Sequence, residues 1–520
     1  MSNKKLFSNN KSVSNRVVKA TDTINKAGGT AYSLSDKAAL AQLAMTGCFN
    51  GTYYVSDKEQ LENVLKLATK LPPEFVAKLA VYARKEGLMK DMPAVLAAVV
   101  AGKDSELLSQ IFSRVVDNPK MLRNFVQVMR SGVTGRKSLG TRPKKLIQTY
   151  LEGLSDEQLF RADVGNDPSL EDIIKMVHPK PSNKKRSALY GYLLDKDYNA
   201  KDLCALVKEY EAFKKTMKGE IPDVSFQKLT ALPLTAAHWK QIAENATWTQ
   251  TRMNLNTFER HGIFADPKLT NLIVDRLQDP ELIRKTKVFP YQLFAAFKNV
   301  EGNIPQKVVN ALQRAAETAT ENVPAFPGKV YVFNDVSGSM RSPVTGYRAT
   351  ATSKVECLDV AALVAACVLR RNEDAEVIPF SDHVVPCKLN PLDSIMGNAQ
   401  KLASLPSGGT NCSAPLAELN RRQAKGDLVI FISDNESWCD SGHYRSTATM
   451  VEWEKFKKRN PKAKLVCIDI TPNATAQAHD REDIINIAGF SDNVFEVIAR
   501  FVELGNNKDL WVKTIESITL

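Results

Sequence analysis

Amphipathic segments of helical period dominate the chain from about Leu34 to Thr318. Apolar residues recur there at intervals of three and four, the spacing of one face of an α-helix. The segments are short, brief polar turns separate them, and almost no alternating strand pattern interrupts them. The predicted helices span residues 37–45, 58–68, 73–85, 92–100, 106–116, 119–130, 143–151, 170–176, 184–194, 200–216, 226–229, 236–243, 248–258, 267–277, 280–286, 291–298 and 306–318. This pattern is typical of an α-solenoid of degenerate helix pairs, since no regular repeat period stands out.

The pattern changes after residues 321–328, a segment that contains two prolines and a glycine. Strands are predicted at residues 330–334, 376–380, 428–433 and 465–470, with a further short one at 494–496. Helices are predicted at residues 355–371, 391–403, 413–424, 447–458 and 508–518. Strands alternating with helices predict a doubly wound α/β domain. A chain of 520 residues exceeds the size of a single core, so we divide it into a helical domain, 1–325, and an α/β domain, 326–520.

Positive charge is concentrated in the helical domain. Residues 1–325 hold 48 lysines and arginines against 34 acids, a net charge of +14, whereas residues 326–520 hold 22 against 24, a net charge of −2. The densest basic stretch runs from Asn118 to Leu151 without one acid. A polyanion is the partner that such a distribution favours, although a single basic cluster is also typical of a solvated surface.

The composition indicates an intracellular protein. No 18-residue apolar run is present, and the segment that begins at Met1 lacks a signal-peptide core. The eight cysteines form no Cys-x-x-Cys pair, and several lie in apolar segments, which favours reduced core residues over disulfides or zinc. We therefore expect a cytoplasmic protein that does not bind membranes.

Side chains with oxygen atoms follow two of the predicted strands and precede one of the predicted helices. Asp335, Ser337 and Ser339 come directly after the strand at 330–334. Thr410 follows a Gly-Gly pair before a predicted helix, and Asp434 ends the strand at 428–433. Hydroxyls with one or two carboxylates suit a hard cation, and Mg²⁺ is the expected cofactor. The carboxyl ends of parallel strands are where ligands bind in such sheets, although Asp335 and Ser337 could instead cap a helix.

In combination, these three motifs resemble the metal-ion-dependent adhesion site of von Willebrand factor A domains. The resemblance implies a Rossmann-like fold and a cation with one open coordination position. In that family a water or an acidic group of a partner protein fills this position. Regulated binding is therefore implied more strongly than catalysis.

The helical part is similar to the TROVE module of the Ro ribonucleoprotein autoantigen family. The similarity lies in Phe49-Asn-Gly-Thr-Tyr-Tyr-Val55, in Pro72-Pro73-Glu-Phe with the Ala77-Lys-Leu-Ala-Val-Tyr-Ala-Arg84 run, and in later motifs. Those are Gly135-Arg136-Lys137 with Lys144-Lys145, Asp172-Ile-Ile-Lys175-Met-Val-His178-Pro-Lys180, Thr251-Arg252-Met-Asn254-Leu-Asn256 and Phe289-Pro290-Tyr291-Gln292. A TROVE module followed by an A domain is the layout of the Ro family, and the order here is the same. The chain resembles the short bacterial or phage members.

The resemblance implies a ring of HEAT-like helical repeats closed by the A domain, within one monomeric chain. It implies binding of small structured Y-like RNAs on a basic outer surface, and of single-stranded ends of misfolded RNAs in a central hole. The implied roles are small-RNA stability, RNA quality control and RNA degradation with an exoribonuclease partner. The candidate RNA-binding residues are Arg136, Lys137, Arg142, Lys144, Lys145, Lys175, His178, Lys180, Lys184, Lys185, Arg186, Arg252, Asn254 and Asn256.

Two other functions stay open at this point. The protein could be a metal-dependent scaffold whose cation binds an acidic residue of a partner protein, with RNA incidental. It could also be a metallohydrolase with Glu436 as general base, but the chain has no phosphate loop, zinc-protease helix or nucleophile elbow, and we expect no enzyme. Arg252, Asn254 and Asn256 also have two interpretations, because polar side chains on a helix either line an inner wall or brace neighbouring loops.

Overall fold

The helical region fills most of the first three fifths of the chain. The computed structural model describes residues 19–520 except 48, 287, 289, 322, 348–353, 441–445, 472, 490, 492 and 505–508, so residue 289 of the last TROVE motif lies outside it. The helices of this region are α1 (Asp36–Thr46), α2 (Asp57–Lys70), α3 (Pro73–Lys85), α4 (Asp91–Lys103), α5 (Ser105–Val115), α6 (Pro119–Ser131), α7 (Thr141–Glu152), α8 (Asp156–Ala162), α9 (Leu170–Val177), α10 (Lys184–Leu193), α11 (Ala205–Thr216), α12 (Phe226–Thr230), α13 (Ala236–Asn245), α14 (Trp248–Met253), α15 (Leu255–Arg260), α16 (Pro267–Gln278), α17 (Pro280–Thr286), α18 (Pro290–Lys298) and α19 (Gln306–Ala319). Most helices pack on their neighbours in sequence, as in a solenoid.

Side-chain caps start many of these helices. Ser155 caps α8 and Ser169 caps α9, and each forms a reciprocal pair with the residue three positions later. Such capping boxes satisfy amide groups that the first turn leaves without partners. The brief polar turns noted in the sequence thus act as helix starts.

A five-stranded parallel sheet forms the α/β domain. Its strands are β3 (Val330–Asp335), β4 (Glu376–Phe380), β5 (Leu428–Ser433), β6 (Lys464–Asp469) and β8 (Ile484–Ala488), in the spatial order β4-β3-β5-β6-β8. The helices of this domain are α20 (Cys357–Arg371), α21 (Ile395–Ala403), α22 (Ala414–Arg421), α23 (Ala448–Arg459), α24 (Asn493–Leu504) and α25 (Leu510–Glu516). The chain leaves β3 for β4 on one side and then returns to β5 on the other, so the strand order reverses at β3.

A hairpin near the start of the described chain attaches to the α/β domain. Its strands are β1 (Thr23–Ile24) and β2 (Thr30–Ser33), and β2 pairs with β7 (Thr475–Ala476). Next along the chain, α1 packs on β8, and the Gln42 amide donates to Asp469 at 2.5 Å. The predicted domain boundary at residue 325 did not include this contact between the start of the chain and the α/β domain. The boundary itself stays a prediction.

The last helices of the helical region contact the same α/β domain from the other end. Glu317 on α19 pairs with Arg370 on α20 at 2.6 Å, and Lys298 on α18 pairs with the buried Asp359. Because both ends rest on one domain, the chain closes on itself. One continuous hydrophobic core runs through the helical region to one face of the sheet, and α22 and α23 cover the other face.

The fold class and most predicted elements are confirmed, but several elements differ, and the short strands β1, β2 and β7 were not predicted. Residues 494–496 lie in α24 and not in a strand, so that prediction was wrong. The strand β8 and the helix α8 were missed. The predicted helix at 248–258 is divided at Asn254, and within 200–216 residues 200–202 form a 3₁₀ turn. The predicted helix at 508–518 begins outside the described residues, which show α25 from Leu510.

No helix of the described ranges is long and apolar enough to cross a bilayer.

Trp511→Ala tests the contact between α25 and the helical region. The indole is 3% exposed and donates to the Tyr82 hydroxyl of α3 at 3.1 Å. Removing a buried indole leaves a cavity and costs about 3–5 kcal/mol of the free energy of unfolding. We expect a lower urea midpoint for the full-length variant. The control is Leu392→Ala, which removes a side chain that is 83% exposed and should change the free energy by less than about 0.5 kcal/mol.

Candidate cation site and nucleic-acid interface

The five predicted cation ligands lie together at the carboxyl edge of the sheet. Asp335, Ser337, Ser339, Thr410 and Asp434 are each at most 5% exposed. The Ser337 and Ser339 hydroxyls are 3.2 Å apart, and the Ser337 amide donates to Asp335 at 2.8 Å. The sequence therefore folds its separate motifs into one compact, oxygen-lined group.

Hydrogen bonds join the three loops that carry these residues. The Ser433 hydroxyl donates to Asp335 at 2.6 Å, and the Gly338 amide donates to the Gly408 carbonyl at 3.0 Å. The Thr410 carbonyl accepts from the amides of Trp438 and Cys439. Thr410 lies in the loop before α22 and not in its first turn, since that helix begins at Ala414. The loops are thus held in place by the backbone and by neighbouring hydroxyls.

The Gly-Gly pair permits the close approach of two of these loops. A Cβ atom at Gly409 would lie 2.4 Å from the Cys439 sulfur and 2.9 Å from the Trp438 ring. At Gly408 it would lie 2.6 Å from an Asp382 carboxylate oxygen. Larger residues would push Thr410 away from the aspartates.

Buried negative charge dominates the electrostatics of this group. Burial, with the nearby Asp434 carboxylate as a second cause, raises the pKa of Asp335 to about 7. Burial also raises the pKa of Asp434 and, with Asp434 nearby, raises the pKa of Glu436 to about 7. In the described part of the chain, neither aspartate forms an ion pair with a lysine or arginine. A bound cation would supply the missing positive charge.

The donor set fits Mg²⁺ better than a softer metal. Two carboxylates and three hydroxyls offer only oxygen, and Mg²⁺ prefers oxygen ligands while keeping several of its waters. Among the described residues, no three histidine, cysteine, aspartate or glutamate side chains converge on one point as in a zinc centre. Mg²⁺ therefore stays a prediction that the chemistry of this group supports.

Residues before position 60 also reach this group, and the sequence did not indicate them. The Tyr54 hydroxyl faces Ser339, and burial followed by the Asp434 charge raises its pKa. Tyr54 belongs to the motif at 49–55 that resembles TROVE, but nothing in its spacing points to a residue 285 positions away.

Ten of the predicted RNA-binding residues form an exposed basic surface on α7, α9, α10 and the adjoining loops. They are Arg136, Lys137, Arg142, Lys144, Lys145, Lys175, His178, Lys180, Lys184 and Lys185, and we call them the basic surface. Gln148, one turn after Lys144, donates to the Val177 carbonyl at 2.6 Å and so joins α7 to the end of α9. Arg142 and Lys175 form exposed ion pairs with Glu106 and Glu171.

Two helices begin with basic residues, although the first turn of a helix usually favours acidic ones. The first turn of α7 has no acid, its N-cap Gly140 offers no side chain, and Arg142, Lys144 and Lys145 lie there. The first turn of α10 likewise has no acid and contains Lys184 and Lys185. Helix starts favour negative side chains because the helix dipole is positive there. Lysines at these ends cost some helix stability, and an external anion would offset that cost.

Arg186 is buried against other helices and is not part of the exposed basic surface. It is 7% exposed, its Nε donates to Asp156 at 2.6 Å, and its Nη1 donates to the Leu151 carbonyl at 3.0 Å. The guanidinium thus ties α10 to α8 and to the end of α7. An arginine with these contacts has no free face for a phosphate.

The polar residues of α14 and α15 brace neighbouring loops. The Asn256 amide donates to the Asn299 carbonyl and accepts from the Glu301 amide, and Asn254 donates to the Gln250 carbonyl. Arg252 donates to the Gln292 carbonyl at 2.8 Å. Of the two interpretations, these contacts favour the bracing one.

Mg²⁺ should stabilise the protein more at pH 8 than at pH 6. The folded pKa of Asp335 lies above its usual value, so without a cation stability falls as pH rises from about 4 to about 7. A cation binds the ionised form and offsets this loss. Thermal unfolding with and without Mg²⁺ should show the larger rise in Tm at pH 8, and none in Asp335→Asn. Equal shifts at both pH values would contradict the assignment.

Comparisons with known proteins agree with this architecture. The TROVE domain profile matches residues 166–345, and the Ro60 vWA domain profile matches residues 329–502. The chain is 24% identical over 523 residues to RNA-binding protein RO60 of Deinococcus radiodurans, with 92% of this chain and 95% of that protein covered. It is 23% identical over 381 residues to RNA-binding protein RO60 of Caenorhabditis elegans, with 67% and 57% covered.

The fold is also similar to a solved structure. The crystal structure of the Deinococcus radiodurans RO (RSR) protein matches with a TM-score of 0.60 at 20% identity, covering 90% of this chain and 99% of that one. The order of the helical region and the α/β domain therefore has a counterpart in a bacterial protein. The two domain matches, which together span residues 166–502, show that the chain carries the TROVE and Ro60 vWA domains of the Ro family.

Proposed function

We propose that this protein binds structured RNA on the basic surface through contacts to phosphates. The observation that carries the proposal is the set of exposed side chains on α7, α9, α10 and their loops, together with first turns of α7 and α10 that contain lysines and no acid. Side chains and helix starts of this kind bind phosphate without reading the bases. A-form RNA is recognised mostly through its backbone and shape, so a broad cationic surface suits it. The names of the two relatives support RNA as the polyanion.

The finer proposal concerns the kind of RNA and its fate. Small structured non-coding RNAs of the Y-like kind would bind the basic surface, and single-stranded ends of misfolded RNAs would enter a central hole of the closed chain. Closure of the helical region on the α/β domain supports such a hole. The protein would act as a monomer in the cytoplasm, in small-RNA stability and in RNA quality control, and would pass RNA to an exoribonuclease.

The cation site belongs to a second binding function in this proposal. Exposed aromatic side chains surround the loops that carry the ligands: Tyr53 is 57%, Tyr347 51% and Trp438 47% exposed. Such side chains favour a protein partner, whose acidic group would occupy the open position on Mg²⁺. Catalysis by a metal-bound water would need a free general base. Glu436 is fully buried and the Ala27 amide holds its Oε2, so an external substrate could not reach it, which argues against that role.

Reversing two charges on α7 tests the RNA proposal. Lys144→Glu with Lys145→Glu removes two phosphate contacts and adds repulsion. We expect affinity for a structured RNA to fall at least about tenfold at moderate salt, and the slope of log affinity against log salt to decrease by about 2. Filter binding or fluorescence anisotropy over a salt series measures both quantities.

The matched control is Lys458→Glu with Lys462→Glu, an equal reversal of two exposed lysines in the α/β domain. It preserves the change in net charge but lies outside the basic surface. Equal losses in both double variants would mean that only overall charge matters, and would contradict a localised interface.

A further inference from the structure

Glu436 has a buried carboxylate oxygen that no described residue satisfies. The side chain is fully buried, and its Oε2 accepts from the Ala27 amide at 3.1 Å. Its Oε1 has no hydrogen-bond donor among the described residues. A buried acceptor without a partner costs about 1–3 kcal/mol, and more when charged. The Asp434 charge raises the pKa of Glu436, so the two acids are near each other, and the amides of Ala27 and Lys26 face the same carboxyl. A bound group that donates a hydrogen bond would be the partner that Oε1 lacks.

The N-terminal hairpin of β1 and β2 holds this glutamate. The turn between the strands offers the Ala27 amide to Glu436, and the Asn25 side-chain amide donates to the Ser437 carbonyl at 2.7 Å. Asn25 also accepts from the Gly29 amide at 2.7 Å, which shapes the turn. The hairpin therefore forms two hydrogen bonds with the loop that follows Asp434.

The position of Glu436 relative to Asp335 and Asp434 decides whether it could coordinate a cation directly or only contact the waters on that cation. Among the described residues, Glu436 does not join Asp335 and Asp434 in a cluster of three metal-binding carboxylates. Mg²⁺ keeps several waters, and a carboxylate just beyond it can accept hydrogen bonds from those waters. Glu436 suits that outer position, with Oε1 available and Oε2 fixed by the hairpin.

We propose that Glu436 is a positioning residue of the cation site that accepts a hydrogen bond from a cation-bound water, and that the N-terminal hairpin holds it there. Docking of the hairpin and binding of the cation are then linked, and each strengthens the other by the same factor. Because β2 also pairs with β7, the cation stabilises the attachment of the start of the chain to the α/β domain. The inference rests on the cation site proposed above.

Calorimetric titration of the full-length protein with Mg²⁺ tests the first part. Glu436→Gln keeps the shape and the acceptor for Ala27 but removes the charge, and it should weaken Mg²⁺ binding about 10- to 100-fold. The control Glu373→Gln changes an exposed glutamate just before β4, at the opposite edge of the sheet, and should bind as the wild type does. A Glu436→Gln protein that folds and binds within twofold of the wild type overturns the role of Glu436.

Hydrogen exchange tests the linkage. Mg²⁺ should slow exchange of the backbone amides of residues 23–33 in the wild type and not in Glu436→Gln. Asn25→Ala loosens the hairpin while every cation ligand stays, and it should also weaken Mg²⁺ binding. If Mg²⁺ leaves exchange of the hairpin unchanged in the wild type, the linkage is refuted.

Asp335→Ala distinguishes this inference from the cation site itself. If the wild type binds Mg²⁺ no better than Asp335→Ala, the cation site and the role of Glu436 both fall, whereas the RNA proposal stands. If Asp335→Ala loses Mg²⁺ binding while Glu436→Gln and Asn25→Ala bind Mg²⁺ as the wild type does, the cation site stands and this inference alone falls.

Discussion

Attachment of both ends of the helical region to one α/β domain is the constraint on which the rest of the structure depends. A chain of short helices that pack mainly on their neighbours has no intrinsic reason to close. Here Gln42 near the start binds Asp469, and Glu317 near the end binds Arg370. Each attachment pairs a buried or half-buried carboxylate with its donor, Asp469 with Gln42 and Glu317 with Arg370. Such pairs are stable only in a defined geometry. The α/β domain thereby holds the two ends of the helical region in fixed positions.

The same attachment brings the cation site and the helical region together. Asp335 and Asp434 lie at the carboxyl edge of the sheet, and the hairpin and Tyr54 reach that edge from the first 60 residues. Repulsion among buried acids opposes this arrangement, and a divalent cation bound there would relieve it. The basic surface lies on other elements, chiefly α7 and α10, so the proposed RNA interface and the candidate cation site are separate.

The sequence predicted that the candidate cation ligands lie together, because parallel strands present their ends at one edge of a sheet. Apolar runs ending in Asp335 and Asp434 needed no further information. The approach of Ala27 to Glu436 could not be predicted, because it depends on the packing of segments 409 residues apart. Arg186 shows another limit. Consecutive residues of a helix point about 100° apart, so one member of a basic triplet faces inward, and charge alone does not say which.

Edge strands and short apolar segments account for the errors in the fold. The strand β8 is a five-residue segment, mostly apolar but with Asn486 at its centre, at the edge of the sheet, where α1 and α25 pack on it. Such coverage protects an edge from pairing with other chains, but a run this short reads equally well as part of a helix. The apolar start of α24 was taken for the missing strand for the same reason.

The most direct test is to purify the protein from its native host and sequence the RNA that accompanies it. A titration of the dominant species in rising salt then completes the measurement. The structure predicts one or a few discrete structured RNAs, whose affinity for the protein falls steeply as salt rises. If no RNA is enriched over a control purification, the basic surface does not serve RNA, and protein binding at the cation site becomes the leading function.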